Sequence, residues 1–382
     1  MPIRSSLSVV VLSALLASCT GGAAPGDKGG ATAAADTGPR DMLIVATGSD
    51  INNLLPVVAA SASDGYVIDN IYMKGLNSDF DCELTYKPSL YQSWDWSEDS
   101  LSLTMTLNES FTWADGKPVT AEDVAFAYEL VADKDVASPR LGYTDKFAAP
   151  PEVLAPNKIK FSWTEPGDRI TRLAEASAYH VPKHLLTDAE RSGLRTHALT
   201  TAPVVDGPFV MTKREPNAYF TLEPNPKFTG PDEMKAKLKI VRFEIIPEYQ
   251  TRLLKLKKGE IDLADGIAVK DADELRKNNP ELKIVSRGYR FMDYIAWNLN
   301  DPRFKDVRVR RAMAHAVSID SMIKRLLTGE DGTKYAQQAY GTLTPEICST
   351  RAKVDLIKQD VDKAKALLAE AGWTDTNGND IV

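Results

Sequence analysis

Cysteine is scarce in this sequence, and the patterns that mark a disulfide framework are missing with it. The 382 residues include three cysteines, which excludes a small secreted scaffold held together by several bridges. Cys82 and Cys348 lie far apart in the chain and could pair in an oxidising compartment or stay as two separate thiols. The sequence leaves both alternatives open.

Histidines and catalytic motifs are equally sparse. Among the four histidines, His180 and His184 have the spacing of helical zinc ligands, but Pro182 between them disfavours a helix. We therefore expect a surface loop there rather than a zinc site. The sequence contains no G-x-S-x-G, H-E-x-x-H or Walker A pattern. It predicts no catalytic residue, no metal and no cofactor.

Positive charge is in the minority, with 46 lysines and arginines against 53 acidic residues. This balance disfavours nucleic-acid binding, which needs a broad basic surface. The local exception is "NDPRFKDVRVRRAMAHAV" at 300–317. Its apolar residues recur at helical spacing, namely Val309, Ala312, Met313, Ala316 and Val317. We expect its arginines to flank a buried helix face, solvated or in local ion pairs, and not to bind phosphate.

Long apolar runs are absent except at the N-terminus, "MPIRSSLSVVVLSALLASC". Arg4 precedes an apolar core that is too short to span a bilayer, which is typical of a secretory signal. The small residues before Cys19 resemble the bacterial lipobox, whose cysteine carries lipid. The following stretch is rich in Gly, Ala and Pro and cannot form a core. We predict a signal peptide at 1–18, lipid on Cys19 and a flexible tether over 19–40.

From residue 41 onward, the hydrophobic pattern alternates between strand and helix periods. Strands are predicted at 42–47, 102–108, 158–163, 240–246, 261–265 and 289–298, with a hairpin within 206–228. Helices are predicted at 64–76, after the Thr120 cap, at 248–258, after Asp306, at 319–327 and after Asp360. Because the elements do not follow a strict βαβ alternation, the pattern indicates an α/β or α+β protein with several lobes.

Five segments resemble, in order, the peptide/nickel-type (family 5) extracellular solute-binding proteins of ABC importers, in particular the oligopeptide- and dipeptide-binding group. They are "FTWADGKPVTAEDVAFAYELV", "DGPFVMTKREPNAYFTLEPNPKF", "KKGEIDLADGI", "WNLNDPRFKDVRVRRAMAHAVSIDSMI" and "AKALLAEAGW". The resemblance implies an α/β fold, a periplasmic-binding-protein type II clamshell with two main lobes and an extra subdomain. Ligand would lie between the lobes, and no catalysis would take place.

The resemblance also implies a division of the chain. Residues 41–70 and 200–288 would form the core of lobe I, 71–199 the extra subdomain, and 289–382 the N-terminal part of lobe II. Family members continue beyond the point that corresponds to Val382. The second lobe is therefore expected to be incomplete, as in a C-terminally truncated chain, with part of its apolar face uncovered.

The implied function is that of a monomeric, lipid-anchored receptor in the periplasm or at the cell surface. It would deliver peptides or similar small solutes to an ABC permease. An exported lipid-anchored hydrolase is the alternative from another class, and an adhesion or signalling module is a third.

Carrying the family's cleft positions onto this sequence gives eight candidate ligand-binding residues: Ala60, Ser61, Ala62, Ser63, Arg140, Asp265, Gly266 and Tyr294. The small residues at 60–63 suit main-chain hydrogen bonding to an extended peptide. Arg140 stands where some relatives have an aromatic residue. It would favour an acidic ligand, or it is a plain surface arginine. Asp265 and Gly266 follow "GEIDL", and Tyr294 lies on the predicted strand that enters lobe II.

Overall fold

The computed structural model describes residues 41–78, 85–286, 293–339 and 355–374. The predicted signal peptide and tether, and the cysteines Cys19, Cys82 and Cys348, lie outside the described residues.

The described residues form eleven strands and ten α-helices, numbered in chain order. The strands are β1 (Met42–Thr47), β2 (Leu76–Ser78), β3 (Tyr86–Pro88), β4 (Tyr91–Trp96), β5 (Ser102–Leu107), β6 (Glu152–Ala155), β7 (Lys158–Ser162), β8 (Phe209–Glu215), β9 (Tyr219–Pro224), β10 (Ile240–Ile245) and β11 (Leu263–Ala264). The helices are α1 (Ala62–Ile71), α2 (Ala121–Ala132), α3 (Arg169–Ala176), α4 (Lys183–Leu186), α5 (Tyr249–Lys257), α6 (Val269–Asn278), α7 (Pro302–Lys305), α8 (Val307–Ala316), α9 (Ile319–Leu326) and α10 (Val361–Glu370). None of these described helices is both long and apolar enough to cross a bilayer.

A five-stranded mixed sheet has the strand order β11-β1-β10-β9-β8. β1 runs parallel to β10, with Met42 opposite Ile240, and parallel to β11, with Val45 opposite Leu263. The β8–β9 hairpin completes the sheet in antiparallel fashion. The predicted strand at 42–47, the hairpin within 206–228 and the short strand in "IDLAD" are all confirmed. The carboxyl ends of the three parallel strands consequently meet at one edge of the sheet.

A second sheet, β4-β5-β7-β6, is antiparallel throughout. On β5 the fully buried Leu103, Met105 and Leu107 alternate with half-buried residues, which confirms the predicted period of two. α2 packs against β6 and β7, and it starts where the sequence predicts. There, Asp123 Oδ2 accepts a hydrogen bond from the Thr120 amide at 2.9 Å.

One continuous hydrophobic core joins these two sheets. Its largest fully buried side chains come from both of them and from the connecting segments, and include Trp113, Tyr91, Tyr128, Phe111, Phe161 and Phe220. A smaller core lies between the first sheet and helices α5 and α6, built from Ala46, Ile246, Leu253, Leu256, Ile261 and Leu275. Gly259 follows the end of α5 with a φ of +69°, in the left-handed region that glycine commonly adopts just after a helix.

Helices α7 to α10 make up the described part of the chain after residue 292. α8 begins after Asp306, as predicted, and the Asp306 carboxylate accepts from the Arg308 amide. Its predicted apolar stripe is buried only in part, because Val309 and Ala312 are covered whereas Met313 is 37% exposed. On α9, Leu326 is 64% exposed.

Two predicted elements differ in the structure. The helix expected at 64–76 covers Ala62–Ile71 instead, because Ser61 and Asp64 form a capping box at its start and the backbone at Tyr72 is extended. The strand expected at 289–298 is wrong over 293–298, where the described residues form no strand. Ile295 is 65% exposed there, and the segment has no described neighbour with which to make a ladder.

Candidate functional site

The candidate site is centred on the edge of the mixed sheet where its parallel strands end. Ala46 on β1 pairs with Ala264 on β11, so the segments that begin at Gly48 and Asp265 leave the sheet side by side. In α/β proteins, ligands bind preferentially in the crevice beyond the carboxyl ends of parallel strands. Asp265 and Gly266, two of the predicted residues, therefore lie at a suitable edge.

The N-terminus of α1 is tied to the same edge by a pair of serine hydroxyls. Ser49, two residues after β1, has its Oγ 2.5 Å from Oγ of Ser63 in the first turn of α1. This contact brings the predicted segment 60–63 to the end of β1. Ala60 and Ala62 are exposed there, and Ser61 and Ser63 are half-buried. A helix N-terminus carries partial positive charge, which suits a ligand carbonyl or carboxylate.

Asp64 holds this arrangement in place, and sequence reasoning missed it. Its side chain is buried, and Oδ1 accepts from the amides of Asn52 and Asn53 at 2.6 and 3.1 Å. Its amide in turn donates to Ser61 Oγ at 3.0 Å. The signal was present in the sequence, because Ser61 and Asp64 have the S-x-x-D spacing of a capping box. Ser49 carried no comparable signal.

Arg140 lies next to the segment that leads into α1. Ser138 Oγ donates to the carbonyl of Val57 at 2.6 Å and accepts from the Arg140 amide at 3.1 Å. The Arg140 side chain is half-buried, and its Nε is buried without a hydrogen-bond partner among the described residues. Burial raises the pKa of the neighbouring Tyr179, and the charge of Arg140 opposes that rise.

The loop after β11 is held in place by Tyr249, the first residue of α5. Gly266 has a φ of +64°, in the region that favours glycine. The Ala268 amide donates to Tyr249 Oη at 3.1 Å, and the Tyr249 hydroxyl donates to Asp271. Arg252, which sequence reasoning also missed, donates from Nη1 to the carbonyl of Ile246 at 3.1 Å, beside the chain that leaves β10.

Tyr294 is not placed with the other predicted residues. It is 75% exposed and lies in the segment 293–298, where the expected strand is not formed. The structure thus brings 60–63, Asp265 and Gly266 to one edge, links Arg140 through Ser138 to the segment that leads into α1, and leaves Tyr294 apart.

Three arginines of the segment 300–317, Arg303, Arg308 and Arg310, are engaged locally. Arg303 pairs with Asp301, and Arg308 with Asp306, each at 2.6 Å. The hydrogen bond from Arg303 lowers the pKa of Asp301 to about 2. Arg310 Nη1 donates to the carbonyl of Phe304 at 2.6 Å. The prediction of local ion pairs is confirmed.

The expectation of a surface loop at His180 is wrong. His180 is buried, and its Nε2 lies 2.8 Å from Oδ2 of the fully buried Asp206. Such a buried polar pair is tolerated because each group satisfies the other. His184 lies on the short helix α4, and its Nε2 is 2.6 Å from Asp115 Oδ2. Within the described ranges, no three His, Cys, Asp or Glu side chains are grouped so that they could hold a metal.

The α/β fold, with candidate residues 60–63, Asp265 and Gly266 at the carboxyl edge of a mixed sheet, has the arrangement in which α/β proteins of the ligand-binding class hold their ligands. The family model "Bacterial extracellular solute-binding proteins, family 5 Middle" matches residues 85–382. The chain belongs to this family, which confirms the resemblance and the fold class. Because its relatives are solute-binding proteins, they give no support to the hydrolase alternative.

Two relatives show how far the similarity extends. The oligopeptide-binding protein AppA of Bacillus subtilis is 26% identical over 379 residues, which is 98% of this chain and 67% of that protein. The solved structure of B. subtilis AppA with a nonapeptide has a TM-score of 0.75 at 25% identity, covering 88% of this chain and 65% of that one. NikZ of Campylobacter jejuni, solved with Ni(L-His), has a TM-score of 0.71 at 26% identity, covering 87% and 63%. The chain therefore spans about two thirds of the length of these relatives.

Proposed function

We propose that this chain is the solute-binding component of a bacterial ABC importer, which captures a peptide or a similar small solute and delivers it to a membrane permease. The observation that carries the proposal is the junction at the sheet edge, where the Ser49–Ser63 contact joins the N-terminus of α1 to the end of β1 in a member of this family. Exposed backbone and small side chains there suit hydrogen bonding to an extended main chain.

The ligand would lie between two lobes. Lobe I would comprise a core of 41–70 and 200–288, which contains the mixed sheet, and an extra subdomain of 71–199, which contains the antiparallel sheet. Lobe II would begin at 289 and include α7 to α10. Closure would follow from contacts that the ligand makes with both lobes only in the closed state. Tyr294, exposed at the start of lobe II, would then reach the ligand only on closure.

Arg140 would set a preference for acidic ligands. Its half-buried side chain has an Nε without a hydrogen-bond partner among the described residues, and its backbone amide is tied through Ser138 to Val57, in the chain that leads into α1. A guanidinium of this kind can take a carboxylate of the ligand. The AppA complex with a nonapeptide supports a peptide as the ligand. The NikZ complex with Ni(L-His) supports a small metal chelate as the alternative ligand.

The chain would be anchored to a bacterial membrane by lipid on Cys19, with 19–40 as a flexible tether, and would act as a monomer in the periplasm or at the cell surface. The lipobox-like residues before Cys19 and the Gly- and Ala-rich segment after it support this proposal. Stable anchoring requires more than one acyl chain, as a diacylated cysteine would supply.

The test is a binding screen of the mature chain against di- to nonapeptides with and without acidic side chains, and against metal–histidine chelates, followed by calorimetry. We expect a subset of acidic peptides to raise the melting temperature, because a ligand that binds only the folded protein stabilises it. Arg140→Leu should weaken their binding about tenfold or more, as loss of a charged hydrogen bond does. Lys213→Leu, which removes the same charge from an exposed position on β8, is the matched control. A folded chain that binds none of these solutes would contradict the proposal.

A further inference from the structure

The helices after residue 292 are joined to α6 through the loop 327–335, which follows α9. The amide of Glu330 in this loop donates to Oδ2 of Asp273 on α6 at 2.8 Å. Glu330 also pairs with Lys277, and the Arg276 guanidinium lies 5.9 Å from the centre of the Tyr335 ring. These five residues define the α6–loop contact, which connects the described helices after residue 292 to the part of the chain before residue 286.

Asp273 lies at the centre of the α6–loop contact. The residue is 9% exposed, so its carboxylate needs partners within the protein. Oδ1 accepts from Nη1 of Arg276 on the same helix at 2.7 Å, and Oδ2 accepts from the Glu330 amide. One carboxylate oxygen is thus held within α6, while the other fixes the loop.

Gly329 allows the loop to come close to this carboxylate. A Cβ atom at this position would lie 3.3 Å from Oδ2 of Asp273 and 3.3 Å from the ring of Tyr335. A glycine is favoured where the backbone approaches another group so closely. A larger side chain at position 329 would therefore push the loop away from α6.

The loop has hydrogen bonds of its own, which tie it to α9. Thr328 and Lys334 form an antiparallel bridge, and the Tyr335 amide donates to the carbonyl of Leu327 at 2.8 Å. Thr328 Oγ1 donates to the carbonyl of Ile323 on α9 at 3.0 Å. The position of α9 therefore depends on where the loop is held on α6.

The α6–loop contact is polar, in contrast to the packing between the two sheets. The two hydrophobic cores described above take their side chains from residues 43–284. Within the contact, the side chains of Lys277 and Glu330 are 62% and 65% exposed. A small polar interface between two parts of a chain permits relative movement, because separating them uncovers little apolar surface.

We propose that the α6–loop contact is a releasable joint and that Asp273 is its positioning residue. When the contact is formed, α9 has one position relative to the mixed sheet, and when it is broken, α9 moves. In the two-lobed arrangement of the proposed function, on which this last step rests, release of the contact would allow the second lobe to change its angle to the first.

The first measurement is the distance between spin labels on α5 and α9, by pulsed electron paramagnetic resonance on the full chain without ligand. The labels are attached at Leu254→Cys and Met322→Cys, which are exposed positions, after the three native cysteines are replaced by serine. We expect a narrow distance distribution for this parent and a broad one for Asp273→Ala. Glu274→Ala is the matched control and should stay narrow, because Glu274 pairs with Lys257 on α5.

Hydrogen exchange tests the contact itself. Exchange in the segment 327–335 should be at least about tenfold faster in Asp273→Ala, because a hydrogen bond to a charged group is lost. Asp273→Asn keeps an oxygen for the Glu330 amide and should retain most of the protection. Glu274→Ala should exchange as the parent does. Unchanged exchange on β5, in the core, would show that each variant is folded.

A variant on the loop side leaves the carboxylate in place. Gly329→Val should push the loop off α6 and broaden the distance distribution as Asp273→Ala does. The proposal is overturned if both variants keep the narrow distribution of the parent, or if the parent distribution is already as broad as theirs. Because no ligand is used, a chain that binds no solute would overturn the proposed function and leave the joint standing.

Discussion

The region up to residue 286 and the helices after residue 292 differ in what they bury. The first holds two sheets around a continuous core with many side chains fully buried. Among the described residues of the second, the buried hydrophobic side chains are Val309, Ala312, Ile323 and Ala364. Large apolar side chains such as Met322 and Leu326 stay exposed there. Capped, periodic helices are present in both regions, so local signals suffice to specify a helix but not to give it a core.

The largest expected effect comes from emptying the core of the first region. Phe161 is fully buried between Tyr128 and Trp163. Phe161→Ala should lower the free energy of unfolding by about 3–5 kcal/mol, because it removes apolar contacts and leaves a cavity. Met322→Ala, on the exposed face of α9, should change it by no more than about 0.5 kcal/mol. Urea denaturation measures both, and similar losses for the two variants would remove the contrast between the regions.

A smaller effect, dependent on pH, is expected at His180. Burial lowers the pKa of His180, but the charge and hydrogen bond of Asp206, together with the charge of Asp123, outweigh burial and raise it above its ordinary value. Protonated His180 therefore contributes stability that is fully present below about pH 6.5, the unfolded value, and is lost as pH rises through the folded pKa.

The variant His180→Phe keeps an aromatic ring next to Tyr72 and Trp113 but leaves Asp206 without this partner. It should cost about 1–3 kcal/mol at low pH and less at pH 9. Urea denaturation across this range tests the trend. Asp206→Asn, with His180 retained, should lose the same pH dependence. A cost of His180→Phe that stays constant with pH would contradict this assignment.

The smallest expected effect compares one helix cap in each region. Ser61 Oγ accepts from the Asp64 amide at 3.0 Å, and Asp360 Oδ1 accepts from the Lys363 amide at 2.9 Å. Ser61→Ala and Asp360→Ala should each cost about 1 kcal/mol, because capping acts locally whatever the surrounding core. Hydrogen exchange of the first-turn amides of α1 and α10 measures the two effects. Unchanged exchange in α10 after Asp360→Ala would show that the cap is not formed.

Features specified by neighbouring residues could be predicted from the sequence. The start of α2 after Thr120, the start of α8 after Asp306 and the alternation on β5 all follow from patterns a few residues long. The ion pairs of Arg303 and Arg308 could be interpreted in the same way, because their acidic partners are two residues away.

Features that depend on distant partners could not be predicted. Burial of His180 requires Asp206, 26 residues further along the chain. The contact of Ser49 with Ser63 depends on where the chain turns after β1. The aromatic-rich segment before residue 298 has strand-like composition, but a strand exists only where a neighbour completes its hydrogen bonds. The family resemblance supplied positions 60–63 and 265–266, and packing then determined which of the candidates lie together.

The continuous core between the two sheets also has a mechanical consequence. Sliding or opening one sheet against the other would expose side chains such as Trp113, Phe161 and Phe220 to water. Each large apolar side chain uncovered costs about 1.5–3 kcal/mol. Exposing even a few would use up much of the stability of a typical domain, about 5–15 kcal/mol. A force applied at either sheet is therefore transmitted to the other, and the two sheets move together as one stiff body.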